Sequence, residues 1–193
     1  NARRSGTERA VLGDREHTYR VAADGFWQVH REAPAALTRA VLDGVGDVDG
    51  ARVLDLYSGA GLFTSPLAAA VGDAGTVLAV EGDERAVRDA RRNAHGLERV
   101  ELRHGPVEQV LAQDGSGADV VVLDPPRVGA GRAVVEAVAG REPSRVVYVA
   151  CDPAALARDV SYLAEHGYGL TSLRAFDLFP MTHHLEAVAV LTR

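Results

Sequence analysis

The stretch Arg52-Val53-Leu54-Asp55-Leu56-Tyr57-Ser58-Gly59-Ala60-Gly61 is a short apolar run that ends at an acid and breaks into a glycine turn. An apolar run of that length without polar alternation reads as a strand covered on both faces. The glycines let the backbone pass close to a ligand. A second run, Thr76–Val80, leads into another acid, Glu81, twenty residues after Gly61. That spacing suits a carboxylate that holds ribose hydroxyls. The turn is not a dinucleotide fingerprint, because Tyr57 takes the first glycine position and Leu62-Phe63 follow Gly61. No Gly-Lys-Ser/Thr follows, which argues against a phosphate-gripping loop.

Outward from this turn the chain alternates strand and helix. Helices are expected at Phe63–Val71, at Asp83–His95 with Ala86, Val87, Ala90 and Ala94 on one face, and at Leu156–Glu165. Further strands are expected at Val100–Arg103, Val120–Leu123 and Arg145–Val149. Leu170–Phe176 and Ala187–Leu191 leave no room for a helix between them and should pair as an antiparallel ribbon. Upstream, Ala36, Leu37, Ala40, Val41 and Val45 predict a helix over 31–45, and His17–Val21 alternates like a short strand. Residues 1–16 are polar and unpatterned and read as a loose lead-in. The order implies an α/β fold, a doubly wound sheet that is mostly parallel with an antiparallel C-terminal strand. Ligands bind outside the carboxyl ends of such strands. Asp55, Glu81, Asp124 and Cys151 all fall there.

The 193 residues suffice for one domain with a full core, and the apolar share of 47% is that of an ordinary globular chain. No apolar run is long enough to span a bilayer, and no membrane partner is expected. One cysteine excludes an internal disulfide and fits a reducing, cytoplasmic setting. All 21 basic residues are arginine, yet the net charge is −6. A chain gripping nucleic acid by its phosphates alone is usually basic, so an RNA partner would need a local arginine patch or a separate module. The chain begins Asn1-Ala2-Arg3 without methionine, as a fragment of a longer protein would.

Three further segments carry chemistry. Asp124-Pro125-Pro126-Arg127 follows a buried strand, and two prolines stiffen the loop. Amino-group methyltransferases place an aromatic residue after a similar Asp-Pro-Pro. Here Arg127 stands there, either as a surface ion pair or as a grip on a phosphate or base carbonyl. Cys151 precedes Asp152 and Pro153, which suit an N-cap and a first helical residue. A lone cysteine is commonly an inert core residue, but a thiol at a helix N-terminus tends towards thiolate, with the Asp152 charge opposing. Asp177-Leu178-Phe179-Pro180-Met181-Thr182-His183-His184-Leu185-Glu186 reads as a turn between strands. No His or Cys cluster completes a metal-ligand set with it, and no metal is expected.

Residues 50–193 resemble the class I methyltransferases, with the glycine turn matching their first motif. The pattern Asp177-x-Phe179-Pro180-x-Thr182-x-His184-x-Glu186 resembles the C-terminal signature of the RNA 5-methyluridine methyltransferase family. Asp124-Pro125-Pro126-Arg127, Cys151-Asp152-Pro153 and Phe26-Trp27-Gln28-Val29-His30 are similar to its other segments, in the same order. The chain departs from the family pattern at Ala150, Asp152 and His30, where Ser, Asn and Asn are usual.

The resemblance implies a Rossmann-like domain over 31–193, with 1–30 carrying the Phe26-x-Gln28 segment. It implies S-adenosylmethionine as cofactor, held by Gln28, Tyr57, Glu81 and Asp124, and RNA, transfer or ribosomal, as substrate. Cys151 would be the nucleophile and Glu186 the base, with His184 orienting Glu186. Members also carry an N-terminal RNA-binding domain, which is expected outside these residues. Two alternatives stand beside this reading. One is a methyltransferase acting on another base or an amino group, although the cytosine enzymes typically use two cysteines. The other is a non-catalytic cofactor-binding domain, which would be expected to lose Cys151 or Glu186.

Overall fold

The computed structural model describes residues 5–12, 15–178 and 185–193. Its centre is a seven-stranded sheet of β3 (Arg52–Leu56), β4 (Thr76–Glu81), β5 (Val100–His104), β6 (Val120–Leu123), β7 (Arg145–Ala150), β8 (Gly169–Phe176) and β9 (Glu186–Thr192). The spatial order is β5-β4-β3-β6-β7-β9-β8. β5, β4, β3, β6 and β7 run parallel, whereas β9 inserts antiparallel between β7 and β8. β3 and β6, central to the sheet, are buried almost throughout, which is why they read as continuous apolar runs.

Alternate residues of these strands feed two cores. Val53, Val77, Val122, Val147 and Val149 face one side, under α1 (Ala33–Val45) and α2 (Thr64–Ala70). Leu54, Leu78, Val121, Leu123 and Tyr148 face the other, under α4 (Val107–Asp114), α5 (Gly131–Ala139) and α6 (Pro153–Glu165). α3 (Glu84–Asn93) starts at Asp83, whose carboxylate accepts from the Arg85 and Ala86 amides, and it ends with Arg91 and Arg92 in its last turn. Both ends thus complement the helix dipole. α6 starts as expected, with Asp152 accepting from Ala155 N at 2.7 Å and Pro153 opening the helix.

The structure departs from the sequence reading in two places. Residues 5–12 and 15–16 are not a loose lead-in: β1 (Ser5–Leu12) and β2 (Arg15–Ala22) pair as an antiparallel hairpin. Ala10, Tyr19 and Val21 bury one face of it in the core, while the polar face misleads a reading by composition. The helices α4 and α5 were also not anticipated. Each is short and buries only three or four residues, Val107, Val110 and Leu111 in one and Val134, Val135, Val138 and Ala139 in the other. No helix among the described residues is long and apolar enough to cross a membrane.

Candidate active site

Four strand ends meet at one edge of the sheet and open onto a cavity of about 740 Å³. Gln28, Tyr57, Glu81, Asp124, Cys151 and Glu186, the six residues singled out from the sequence, all line it.

The glycine turn forms the floor. Tyr57 sits at φ 62°, in the left-handed region that a non-glycine residue rarely adopts, and Gly59 and Gly61 follow at 56° and 91°. A side chain at Gly59 would meet no neighbouring atom, so the space beside its backbone is left for a ligand. Glu81 braces the turn, accepting from Gly59 N at 2.8 Å with one oxygen and from Asp83 N at 2.7 Å with the other. Each of those oxygens keeps a lone pair for a ligand hydroxyl. Beneath the turn, Asp55 is fully buried and accepts from Thr64 Oγ1 at 2.6 Å, while its other oxygen and Ser58 Oγ have no partner. Burial, with Glu81 adding to it against the Thr64 hydrogen bond, pushes the Asp55 carboxyl up to about 7.

The segment carrying Gln28 is held by the hairpin. The Trp27 ring lies 5.0 Å from that of Tyr19, and the Tyr19 hydroxyl donates to Leu62 O at 2.9 Å, at the far end of the glycine turn. Ala22 N donates to the buried Asp89 at 2.7 Å, and Asp24 pairs with Arg85. Gln28 therefore hangs over the turn from a strap pinned to α3. Sequence reasoning missed Trp27, Asp83 and Asp89 as parts of the site. Asp83 was legible as a helix N-cap, but the partners of the other two come from remote segments.

Cys151 follows β7, and Glu186 opens β9. Ala150 pairs with Ala187 in the antiparallel ladder, so Cys151 and Glu186 occupy the next step of that register. The Cys151 thiol is pushed above its ordinary value, first by burial, then by the charges of Glu186 and Asp124, with Arg127 opposing. Burial first, and then the two carboxylates, thus oppose the thiolate that a helix N-terminus favours. Glu186, 6% exposed, is raised by burial and lowered by Arg127. Asp124 is pushed up to about 8 by burial and by Glu186, Asp55 and Glu81. The Arg127 charge thus acts on both Cys151 and Glu186. His184 lies outside the described residues. Among those described, no group of His, Cys, Asp and Glu could hold a metal.

The cavity is acidic. Asp24, Glu81, Asp83, Asp89, Asp124 and Glu186 line it against Arg85 and Arg127. Such a wall disfavours a pyrophosphate and suits a ligand with positive charge.

Residues 111–193 match the tRNA (Uracil-5-)-methyltransferase family, and residues 53–125 match the Methyltransferase domain family. An uncharacterized RNA methyltransferase of Streptomyces avermitilis is 52% identical over 90% of this chain and 40% of that protein. The chain is thus similar to the tRNA (uracil-5-)-methyltransferase family, whose model covers residues 111–193. An uncharacterized RNA methyltransferase of Bifidobacterium longum is 46% identical over 97% of the chain and 45% of that protein. The chain therefore spans less than half the length of these relatives. The Pyrococcus abyssi tRNA (uracil-54, C5)-methyltransferase, solved with S-adenosyl-L-homocysteine, superposes with TM-score 0.79 at 33% identity, over 96% of this chain and 44% of that one. A Thermus thermophilus 16S rRNA N2 G1207 methyltransferase superposes with TM-score 0.70 at 21% identity, over 99% of this chain and 51% of that one, a likeness of fold alone. The doubly wound sheet is thus the class I methyltransferase fold.

Proposed function

We propose that this chain is the catalytic domain of an S-adenosylmethionine-dependent RNA methyltransferase that forms 5-methyluridine through a covalent cysteine adduct. The observation that carries the reading is the shared wall: Cys151 and Glu186, adjacent in the β7–β9 register, border the same cavity as Tyr57, Glu81 and Asp124.

The cavity residues fit the cofactor. Its sulfonium and amino groups are cationic and suit the six carboxylates, and Glu81 has lone pairs facing the turn for the ribose hydroxyls. Tyr57, Gln28 and Asp124 would hold the remainder. When bound, S-adenosylmethionine supplies an electrophilic methyl group.

Carbon 5 of uracil is a weak nucleophile, and the chain's own groups must change that. Cys151 as thiolate adds to C6, forming a C–S bond and moving an electron pair onto C5 and O4. C5 then takes the methyl group as its bond to sulfur breaks. Glu186 removes the C5 proton as general base, and the returning electron pair expels Cys151. Arg127 lies where its charge favours both the thiolate and the Glu186 carboxylate. The target uridine must leave its stack to enter, as a loop nucleotide readily does.

The test is methyl transfer from labelled cofactor to uridine-containing RNA in the full chain, followed by digestion to nucleosides. Label should appear in 5-methyluridine, Cys151→Ala should abolish it, and Glu186→Gln should accumulate a protein–RNA adduct. Label on another nucleoside, or undiminished transfer by Cys151→Ala, would overturn the mechanism.

A further inference from the structure

Beyond the cavity, the described residues hold one cluster that the mechanism leaves unused. Asp159, on α6, has no exposed side-chain surface. Its Oδ2 accepts from the Tyr148 hydroxyl at 2.6 Å and from Ala130 N at 2.7 Å, with Gly131 N at 3.3 Å. Its Oδ1 accepts from Arg158 Nη2 at 2.8 Å and Nε at 3.0 Å. Arg158 Nη2 also donates to Val128 O at 2.7 Å. These contacts converge on the loop that begins Asp124-Pro125-Pro126-Arg127. Gly129 folds over the pair at φ 78°, and a Cβ there would collide with both Arg158 Nη2 and Asp159 Oδ2. The loop therefore wraps the buried Asp159 and its half-exposed partner Arg158 on the helix that starts two residues after Cys151.

We infer that Asp159 is a positioning residue: with Arg158 and Tyr148 it locks the Arg127–Gly131 segment to the Cys151 helix and so sets Arg127 against the reacting thiol and Glu186. A buried carboxylate that receives four or five donors is costly to leave incomplete, which makes the loop's placement close to all-or-none. The cluster's hydrogen bonds reach none of Glu81, Gly59 or the hairpin strap, and Asp124 is anchored separately, its N donating to Leu56 O at 3.2 Å. Loss of the cluster should therefore slow the covalent step and leave cofactor affinity in place. A bystander role in stability would instead lower the melting temperature without separating the two.

The inference rests on the proposed covalent reaction, and the experiment separates the two. The full chain is mixed with 5-fluorouridine-containing RNA and S-adenosylmethionine, where fluorine replaces the proton that must leave and the adduct persists. Adduct formation is timed at saturating cofactor, and S-adenosylhomocysteine affinity is measured by calorimetry. Asp159→Asn should form adduct roughly 10- to 100-fold more slowly, with S-adenosylhomocysteine affinity changed less than about 2-fold. Tyr148→Phe, which removes one oxygen and should fold if Asp159→Asn does not, should slow it about 3-fold or more. Adduct formation at the unaltered rate in every folded variant, or cofactor affinity falling in step with the rate, overturns the inference. No adduct from the unaltered chain would instead overturn the uridine reading, and this inference with it.

Discussion

Asp55 and Asp124 give the cavity a pH signature that can be read without any substrate. Their folded values, about 7 and about 8, lie above the ordinary 3.8 of an aspartate. Between those limits the folded chain holds protons that the unfolded chain has released. Stability must then fall as pH rises through this window, because the unfolded state binds fewer protons. Asp83 and Glu165 are shifted downward and act only in the acid range. The ligand-free melting temperature should drop by roughly several degrees from about pH 6 to 8.5, and Asp124→Asn should flatten the upper part of that slope. A melting temperature level or rising across this range would sink the account. The positions of these acids were legible from sequence, since each ends an apolar run. Their electrostatics were not. The thiol of Cys151 is raised by burial and then by Glu186 and Asp124, residues 35 and 27 positions away in the chain, and only the strand order brings them together.

At the scale of elements, the hairpin and α3 act as one bracket around the glycine turn. Asn93 shows how. Its Nδ2 donates to Ala60 O at 2.8 Å and Arg20 O at 3.0 Å, and its Oδ1 accepts from Arg20 N at 2.8 Å. One side chain thus ties the turn to β2, and β2 carries the strap that ends at Gln28. Asn93→Ala should raise the dissociation constant of S-adenosylhomocysteine roughly 10-fold and leave the covalent step at saturating cofactor nearly unchanged. That is the opposite signature to Asp159→Asn, so one pair of variants separates the two halves of the site. Unaltered affinity in calorimetric titration of Asn93→Ala would disprove the bracket. The central strands were legible because they are uniformly apolar, α3 because Ala86, Val87, Ala90 and Ala94 share one face, and the start of α6 because Asp152 and Pro153 suit a cap and a first helical residue. Of the hairpin, β2 was legible in the alternation of His17–Val21 but β1 was not, because Ala10 alone marks its buried face among polar neighbours. Nor were α4 and α5, too short for their periodicity to stand out.

Taken whole, the molecule presents a poor surface for polyanions. The net charge is −6 with 21 arginines. Among the described residues twelve of those arginines stand within ion-pair distance of a carboxylate. A guanidinium already paired gains less by meeting a phosphate, and the acidic lining of the cavity offers phosphates little. If the substrate is RNA, recognition by these residues must lean on the unstacked base rather than on the backbone. Affinity of the isolated chain for unstructured RNA should then depend weakly on salt. A log–log slope no steeper than about −2 is expected, since each neutralised phosphate contributes about −0.7 on a single strand. Filter binding or fluorescence anisotropy across a salt series measures it. A slope near −2 would mean about three phosphate contacts and leave the main grip to residues outside this chain. A slope of about −5 or steeper would instead require a concentrated arginine surface on the folded domain, which the ion-pair pattern argues against.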